Sequence, residues 1–160
     1  MTITNSVMCP AYGQIYRFGE DIIIAPCLEE NVIIIDANKN LKRIELEEQG
    51  KGWQFSESYL VDGKLLLVPH DYAALVIIDL NNKKINYLYD VGSFINSKDS
   101  EGNHYGISWI DGEEIYITDS FCNKYMRINV NTLSKTIIDM NLNVEGKELL
   151  CSMRRKRYVG

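Results

Sequence analysis

The chain has 160 residues, of which 46% are hydrophobic, 10% aromatic and 24% charged, and its formal net charge is −5 at pH 7. This length and apolar content predict one folded domain with a sizeable core, and the many Tyr, Ile and Val residues favour strands. The acidic balance argues against a general nucleic-acid-binding protein, because such proteins normally carry a surplus of basic side chains over one face.

Targeting and cysteine patterns favour a cytoplasmic protein. Residues 1–12 do not begin with basic residues followed by an apolar run, so they do not resemble a secretory signal. No segment approaches the roughly 20 apolar residues of a membrane-spanning helix. Four widely spaced cysteines form no Cys-x-x-Cys pair, which predicts reduced thiols: Cys9, Cys27, Cys122 and Cys151. We expect no cofactor and no membrane association.

Residues 13–139 divide into three copies of one pattern of short, β-branched runs. In the first copy, 13–46, strands are predicted at 13–19, 21–26, 31–36 and 41–46. The second copy, 55–89, predicts strands at 55–61, 64–69, 75–80 and 84–89, and the third, 105–139, predicts them at 105–110, 114–119, 124–129 and 134–139. Four short strands with tight turns make an antiparallel meander, and a repeat of roughly 40–50 residues is typical of β-propeller blades.

The three copies align without gaps through their second and third strands. Pro69 aligns with Pro26, 43 residues earlier, and with Asp119, 50 residues later. Two turn positions then recur in every copy: Asp36, Asp79 and Asn129, and Asn38, Asn81 and Asn131. Short polar side chains bond their own backbone in turns and tolerate left-handed conformations, so we interpret these residues as architecture.

Apolar patterns predict that the sheets stack face to face. The second strand is apolar at every position in two copies, through Ile22–Ala25 and Leu65–Val68. A strand without polar alternation is covered on both faces. One position of the first strand always carries a large ring, in Tyr16, Tyr59 and Trp109. We expect these rings to pack between neighbouring sheets.

The third copy, YGISWIDGEEIYITDSFCNKYMRINV at 105–130, resembles a propeller blade of the NHL type or of the related WD-like and YVTN-like types. The shared pattern is a Gly-Ile pair, an Asp-Gly turn, a strand that ends in Asp, a polar loop and a further strand. Through the three copies the resemblance covers 13–139 and implies an all-β fold of three four-stranded antiparallel blades. It also implies that ligands meet the face formed by the loops between second and third strands and by the connections between blades.

Three blades are half of a six-bladed ring, and propellers close with about four to eight blades. We predict an N-terminal segment at 1–12, a three-blade domain at 13–140 and a basic tail at 141–160. An unclosed array exposes one face of the first sheet and one of the third, both predicted to be apolar, and a homodimer that completes the ring covers both. Alternatively, the tail covers one face, as a strand or as a helix with Leu149, Leu150 and Met153, or the chain is a piece of a longer propeller.

Candidate site residues come from the predicted ligand-binding face, at 27–31, 70–74 and 120–123, and from the connections 47–54 and 90–104, the second of which we predict to be irregular. The candidate ligand-binding residues are Glu29, Glu30, Trp53, His70, Asp71, Tyr72, Asp119 and Asn123. His70 beside Asp71, with His104 from the long connection, has the composition of a general base with a carboxylate. Neighbouring side chains in a loop usually point apart, however, and no nucleophile adjoins them. Some lactonase-like propellers suggest Glu29, Asp71 and Asp119 as candidate ligands of a divalent metal, but these carboxylates do not share one repeat position, and we predict no metal site.

The sequence therefore predicts a non-catalytic binding scaffold for a protein, a peptide or a small ligand. The alternative is a metal-assisted, lactonase-like hydrolase or lyase that uses His70, Asp71 or His104. Neither a phosphate-binding glycine loop nor a Gly-x-Ser-x-Gly motif is present in the sequence. We interpret the basic run Arg154–Arg157 as a solvated terminus, and we do not expect nucleic acid as a partner.

Overall fold

The computed structural model describes residues 11–48, 52–95, 107–119, 123–141 and 145–146. Its elements are β1 Tyr12–Phe18, β2 Asp21–Pro26, β3 Asn31–Ile35, β4 Leu41–Glu45, β5 Phe55–Val61, β6 Lys64–Pro69, β7 Leu75–Asp79, β8 Ile85–Leu88, α1 Tyr89–Ile95, β9 Ser108–Asp111, β10 Glu114–Thr118, β11 Lys124–Asn129 and β12 Lys135–Asp139. All twelve predicted strands are present, and their bounds differ from the predicted ones by at most one residue, except that β9 begins at Ser108.

The strands form three antiparallel four-stranded sheets in which sequence neighbours are spatial neighbours. The first blade is β1–β4, the second is β5–β8 and the third is β9–β12. The predicted fold class, three meander blades of a partial β-propeller, is confirmed. No helix in the described part of the chain is long and apolar enough to cross a membrane.

Successive blades contact each other through their first strands. Tyr16 Oη donates a hydrogen bond to the Ser58 carbonyl oxygen at 2.6 Å, and Tyr59 Oη lies 2.9 Å from the Ser108 carbonyl oxygen. The two contacts are equivalent in the repeat, and they confirm that Tyr16 and Tyr59 pack between sheets. The prediction is wrong for Trp109, which is 40% exposed because no described blade follows the third one. The desolvation that accompanies burial raises the pKa of Tyr16.

Two apolar cores separate the three blades. The first lies between the first and second blades and contains Ile23, Val32, Leu65 and Val76 among other side chains. The second lies between the second and third blades and contains Leu66, Ile77, Ile115 and Ile128 among others. The second blade is therefore buried on both faces. Each fully buried Leu or Ile side chain contributes about 1.5–3 kcal/mol relative to its exposure to water.

The first and third blades each have one face that no described blade covers, called the open face. Cross-strand pairing places six aliphatic side chains on the open face of the first blade: Ile15, Ile22, Ile24, Ile33, Ile35 and Leu41. The open face of the third blade instead carries stacked aromatic rings and charges: Trp109, Asp111, Glu114, Tyr116, Tyr125 and Arg127. The prediction that both open faces are apolar is thus confirmed for the first blade and wrong for the third, whose aromatic and charged side chains tolerate water.

As predicted, short polar side chains stabilise the turns between the third and fourth strands of each blade. Asp36 Oδ1 accepts hydrogen bonds from the backbone N–H groups of Asn38 and Asn40, and Asp79 and Asn129 do the same in their turns. The bond from the Asn40 N–H, followed by the interaction with Lys42, lowers the pKa of Asp36 to about 2. The left-handed residue is not one of these polar residues, however. It is the residue whose N–H donates back to the first turn residue: Lys39, three residues after Asp36, and Lys83 and Leu133, four residues after Asp79 and Asn129, with φ of 65°, 63° and 60°.

Helix α1 corrects the prediction that the connection 90–104 is irregular throughout. Val91 and Ile95 are buried in the second core. A Cβ atom at Gly92 would lie 1.9 Å from the Ala73 carbonyl oxygen, so only glycine allows the helix to approach the second blade this closely. A seven-residue helix is too short to show a clear helical period, and this is why the sequence did not predict it.

Candidate functional site

The connection between the first two blades ties their loops together by backbone hydrogen bonds. The N–H groups of Gln54 and Phe55 donate to the Cys27 carbonyl oxygen of the first blade at 2.9 and 3.0 Å. On the other side, the His70 N–H donates to the Gln54 carbonyl at 2.8 Å, and the Asp71 N–H donates to the Trp53 carbonyl at 2.9 Å. Three of the predicted loop segments are therefore adjacent.

This arrangement brings together three of the predicted site residues, Trp53, His70 and Asp71. The rings of Trp53 and His70 stack with centroids 4.6 Å apart and planes 14° apart. Trp53 Nε1 donates to the Phe55 carbonyl oxygen at 2.7 Å, which fixes the indole ring. His70 Nδ1 lies 3.3 Å from Asp71 Oδ2, so the expectation that these neighbouring side chains point apart is wrong. The site that these three residues form is called the Trp–His–Asp site.

The Trp–His–Asp site is partly open to solvent. The side chain of His70 is 19% exposed and that of Asp71 is 40% exposed. Gly52, which precedes the tryptophan, has φ of 126°, and a Cβ atom there would lie 3.2 Å from Asp71 Oδ2. Glycine at this position therefore permits the backbone turn and leaves room for the carboxylate.

Tyr72, a further predicted ligand-binding residue, lies behind the site rather than on its surface. Its ring is buried and packs against Phe55, with ring centroids 4.8 Å apart. Its hydroxyl donates to the Glu47 carbonyl oxygen at 2.7 Å. Burial is the main cause that raises the pKa of Tyr72, and the nearby Tyr87 and Glu47 add to it. The tyrosine thus anchors the connection that carries Trp53.

Glu29 and Glu30 line a different pocket, at the edge of the first blade. This pocket has a volume of about 370 Å³ and is also lined by Glu45 and Glu48. The carbonyl oxygen of Glu30 accepts a hydrogen bond from the Leu46 N–H at 2.8 Å, which holds the loop against the end of the blade. The two glutamates are therefore positioned apart from the Trp–His–Asp site.

Asp119 and Asn123 belong to the third blade and are bonded to each other. Asp119 Oδ1 accepts hydrogen bonds from the Asn123 N–H at 2.8 Å and from the Lys124 N–H at 3.3 Å, which links the end of β10 to the start of β11. Within the described residues, no group of three His, Cys, Asp or Glu side chains is arranged to hold a metal ion, so the implied set of Glu29, Asp71 and Asp119 does not converge. His104 lies outside the described residues, as do Leu149, Leu150, Met153 and the run Arg154–Arg157.

Comparison with known proteins identifies the fold and no family. No family model and no curated protein sequence matches the chain. Among solved structures, a streptogramin B lyase matches with a TM-score of 0.55 and 16% identity, over 82% of this chain and 41% of that one. A catalytically inactive variant of virginiamycin B lyase from Staphylococcus aureus with quinupristin matches with a TM-score of 0.54 and 12% identity, over 88% and 45%. The extracellular domain of a one-component system from B. thetaiotaomicron has a TM-score of 0.54 and 15% identity, over 82% and 18%.

This chain has a β-propeller fold. At these identities the similarity shows the fold alone, and the chain spans less than half the length of each of these structures. The narrower resemblance to NHL-like, WD-like or YVTN-like blades stays a prediction.

Proposed function

We propose that this chain is a non-catalytic β-propeller scaffold that binds its ligand at the Trp–His–Asp site on the loop face. The supporting observation is the Trp53–His70 stack, which lies beside a carboxylate that is 40% exposed. A flat aromatic surface next to a negative charge attracts a cationic or planar group. The ligand class that suits these residues is a protein segment, peptide or small molecule that carries such a group.

The rigidity of the site supports binding as its role. The indole of Trp53 is held by its bond to Phe55, and the surrounding backbone is bonded to both the first and second blades. A site held in its binding geometry loses little conformational entropy when a ligand arrives, and this improves affinity.

Partner capture followed by titration calorimetry tests the scaffold proposal. The immobilised chain captures proteins from lysate, and the purified partner is then titrated with the unaltered chain and with Trp53→Ala. We expect Trp53→Ala to weaken binding at least about tenfold, or about 1.4 kcal/mol. Lys84→Gln, in the β7–β8 turn at the opposite end of the blade, is the matched control and should leave the affinity unchanged. Equal affinities of Trp53→Ala and the unaltered chain would contradict the proposal.

The second candidate function is a lyase or hydrolase. The 3.3 Å distance between His70 Nδ1 and Asp71 Oδ2 favours it, because a histidine beside a carboxylate has the composition of a general base. Two of the structures with similar folds are lyases, and one of them was obtained with quinupristin. Incubation with quinupristin, followed by mass spectrometry, separates the two candidates. Turnover that is lost in His70→Ala would replace the scaffold proposal with the enzyme.

We also propose that a second copy of the chain completes the ring. Two observations support this: the open faces of the first and third blades, and coverage of 41% and 45% of the two lyase chains. A two-fold axis relates two sets of three blades and gives a ring of six, within the range in which propellers close.

A further inference from the structure

The hydrogen bond between the first strands of successive blades occurs at the same aligned positions at both junctions. A ring position on one blade, Tyr16 or Tyr59, reaches a serine position on the next, Ser58 or Ser108. The ends of the array carry the same two positions without a neighbouring blade among the described residues. The ring position of the third blade is Trp109, which is 40% exposed, and the serine position of the first blade is Ile15, which is 67% exposed.

The side chains at these ends differ from the inner ones in a matched way. Between blades of the chain, a tyrosine hydroxyl hydrogen-bonds a serine. At the two open faces the corresponding residues, Trp109 and Ile15, are both apolar. Two residues further along each strand, the inner positions are apolar: Phe18 with Leu60 in the first core, and Val61 with Ile110 in the second. The corresponding end positions carry opposite charges, Asp111 on the third blade and Arg17 on the first.

The two open faces also differ in side-chain type, aliphatic on the first blade and aromatic on the third. A groove of about 440 Å³ on the first blade is lined by Ile15, Arg17 and Ile22 together with Tyr16 and Glu20. The third blade presents a flat stack, in which the rings of Trp109 and Tyr116 have centroids 5.1 Å apart and planes 4° apart. Aromatic rings against aliphatic side chains bury a large apolar area, as at the centre of stable interfaces.

We propose that the open face of the third blade binds the open face of the first blade of a second copy, with Trp109 against Ile15 and Asp111 paired with Arg17. This inference rests on the proposed completion of the ring by a second copy and adds the register of the contact. A two-fold axis applies the same contact twice, so that neither open face is left exposed. The chain carries both halves of this contact, and this favours a second copy over an unrelated partner.

Sedimentation velocity on the full 160-residue chain, with charge-reversed variants, tests the register. From about 1 to about 100 μM we expect a concentration-dependent species of twice the 18.4 kDa of one chain. Arg17→Asp alone or Asp111→Arg alone places like charges in both contacts and should weaken the dimer at least about tenfold. The double variant in one chain should restore the dimer.

Mixing the two single variants provides an independent check. A mixed dimer contains one original Asp–Arg pair and one reversed pair, so it should form although neither variant dimerises well by itself. Lys84→Asp, which reverses the charge of an exposed side chain in the β7–β8 turn of the second blade, is the control and should leave dimerisation unchanged. Far-ultraviolet circular dichroism and urea unfolding of each variant show whether its fold is intact.

The outcomes distinguish the register from the dimer itself. A chain that stays monomeric over the whole concentration range overturns both, and then another chain or further blades cover the open faces. A dimer that is insensitive to the single reversals, or that the double variant does not restore, overturns the register and leaves the proposed ring completion standing. Ligand binding at Trp53 is measured separately, so its failure leaves both conclusions intact.

Discussion

The second blade and the first blade have almost the same pattern of apolar residues and very different surroundings. Leu65 in β6 is 0% exposed, whereas Ile22, its equivalent in β2, is 43% exposed. Both strands are apolar at every central position. The difference arises because the second blade has a neighbour on each side. Burial in a stacked array therefore depends on the neighbouring sheet as much as on the strand itself.

The third blade also has a face that no described blade covers, but its side chains there are of a different type from those of the first blade. Its open face carries Tyr116 and Arg127 at the positions where the second blade has Leu66 and Ile77. Arg127 lies 3.8 Å from Glu114 on the same face. The first blade keeps an aliphatic open face and the third does not, so the two ends are chemically distinct. Distinct ends suit a contact between unlike faces.

Alanine at equivalent positions of the two blades should give the largest difference in stability. Leu65→Ala leaves a cavity between the first and second blades and should lower the free energy of unfolding by about 2–5 kcal/mol. Ile22→Ala, at a partly exposed position, should cost less than about 1 kcal/mol while the chain is monomeric. Urea unfolding at low protein concentration measures both. Equal losses for the two variants would show that the open face of the first blade is covered within the monomer.

A methyl group on helix α1 should disturb the junction of the second and third blades. In the interior of an exposed helix, alanine is normally more stabilising than glycine by about 1 kcal/mol. Here the Cβ atom of Gly92→Ala meets the Ala73 carbonyl oxygen, so the helix must shift and the free energy of unfolding should fall by about 1–3 kcal/mol. Thermal and urea unfolding report the change.

The control for this substitution lies on the same helix. Ser93 is exposed, and Ser93→Ala should change stability by no more than about 0.5 kcal/mol. A Gly92→Ala protein more stable than the unaltered chain would mean that α1 does not dock closely on the second blade.

The smallest expected effect concerns the ion pair that joins α1 to the third blade. The hydrogen bond from Lys135 is the main cause that lowers the pKa of Asp90 below its ordinary value, about 3.9 in the unfolded chain. Because the folded-state pKa is the lower one, the stabilisation is complete above the unfolded pKa and is lost as the pH falls through the folded one. The pair is partly exposed, so its contribution should stay below about 1 kcal/mol.

Urea unfolding at pH 7 and pH 3 measures this contribution through Asp90→Asn. The unaltered chain should be more stable than the variant at pH 7, and the difference should shrink at pH 3, because below the unfolded pKa protonation of the carboxylate favours the unfolded chain. A difference that is the same at both pH values would contradict a role for the charge.

Several features of the fold could be predicted because they depend on residues close in sequence. The strand bounds follow from β-branched runs between turn residues, and the turns at Asp36, Asp79 and Asn129 follow from side chains that bond the adjacent backbone. The left-handed conformation of Lys39 and Leu133 was missed, since neither residue type favours it and the turn geometry imposes it.

The sequence predicted which residues belong to the candidate site but not how their side chains are arranged. Trp53, His70 and Asp71 were chosen because their segments were expected on one face. The stack of Trp53 on His70 depends on backbone hydrogen bonds between the connection and two loops, which no local pattern encodes. For the same reason the sequence placed Tyr72 among the ligand-binding residues, although its ring is buried beneath them.

The sequence by itself determined the three repeats, the twelve strands and the aligned positions that hold successive blades together, because each of these follows from short-range periodicity and turn chemistry. Only the tertiary structure decided which faces are buried, where α1 docks and which loop side chains meet. These features depend on distances between segments far apart in the chain, and a pattern of residue types contains no such distances.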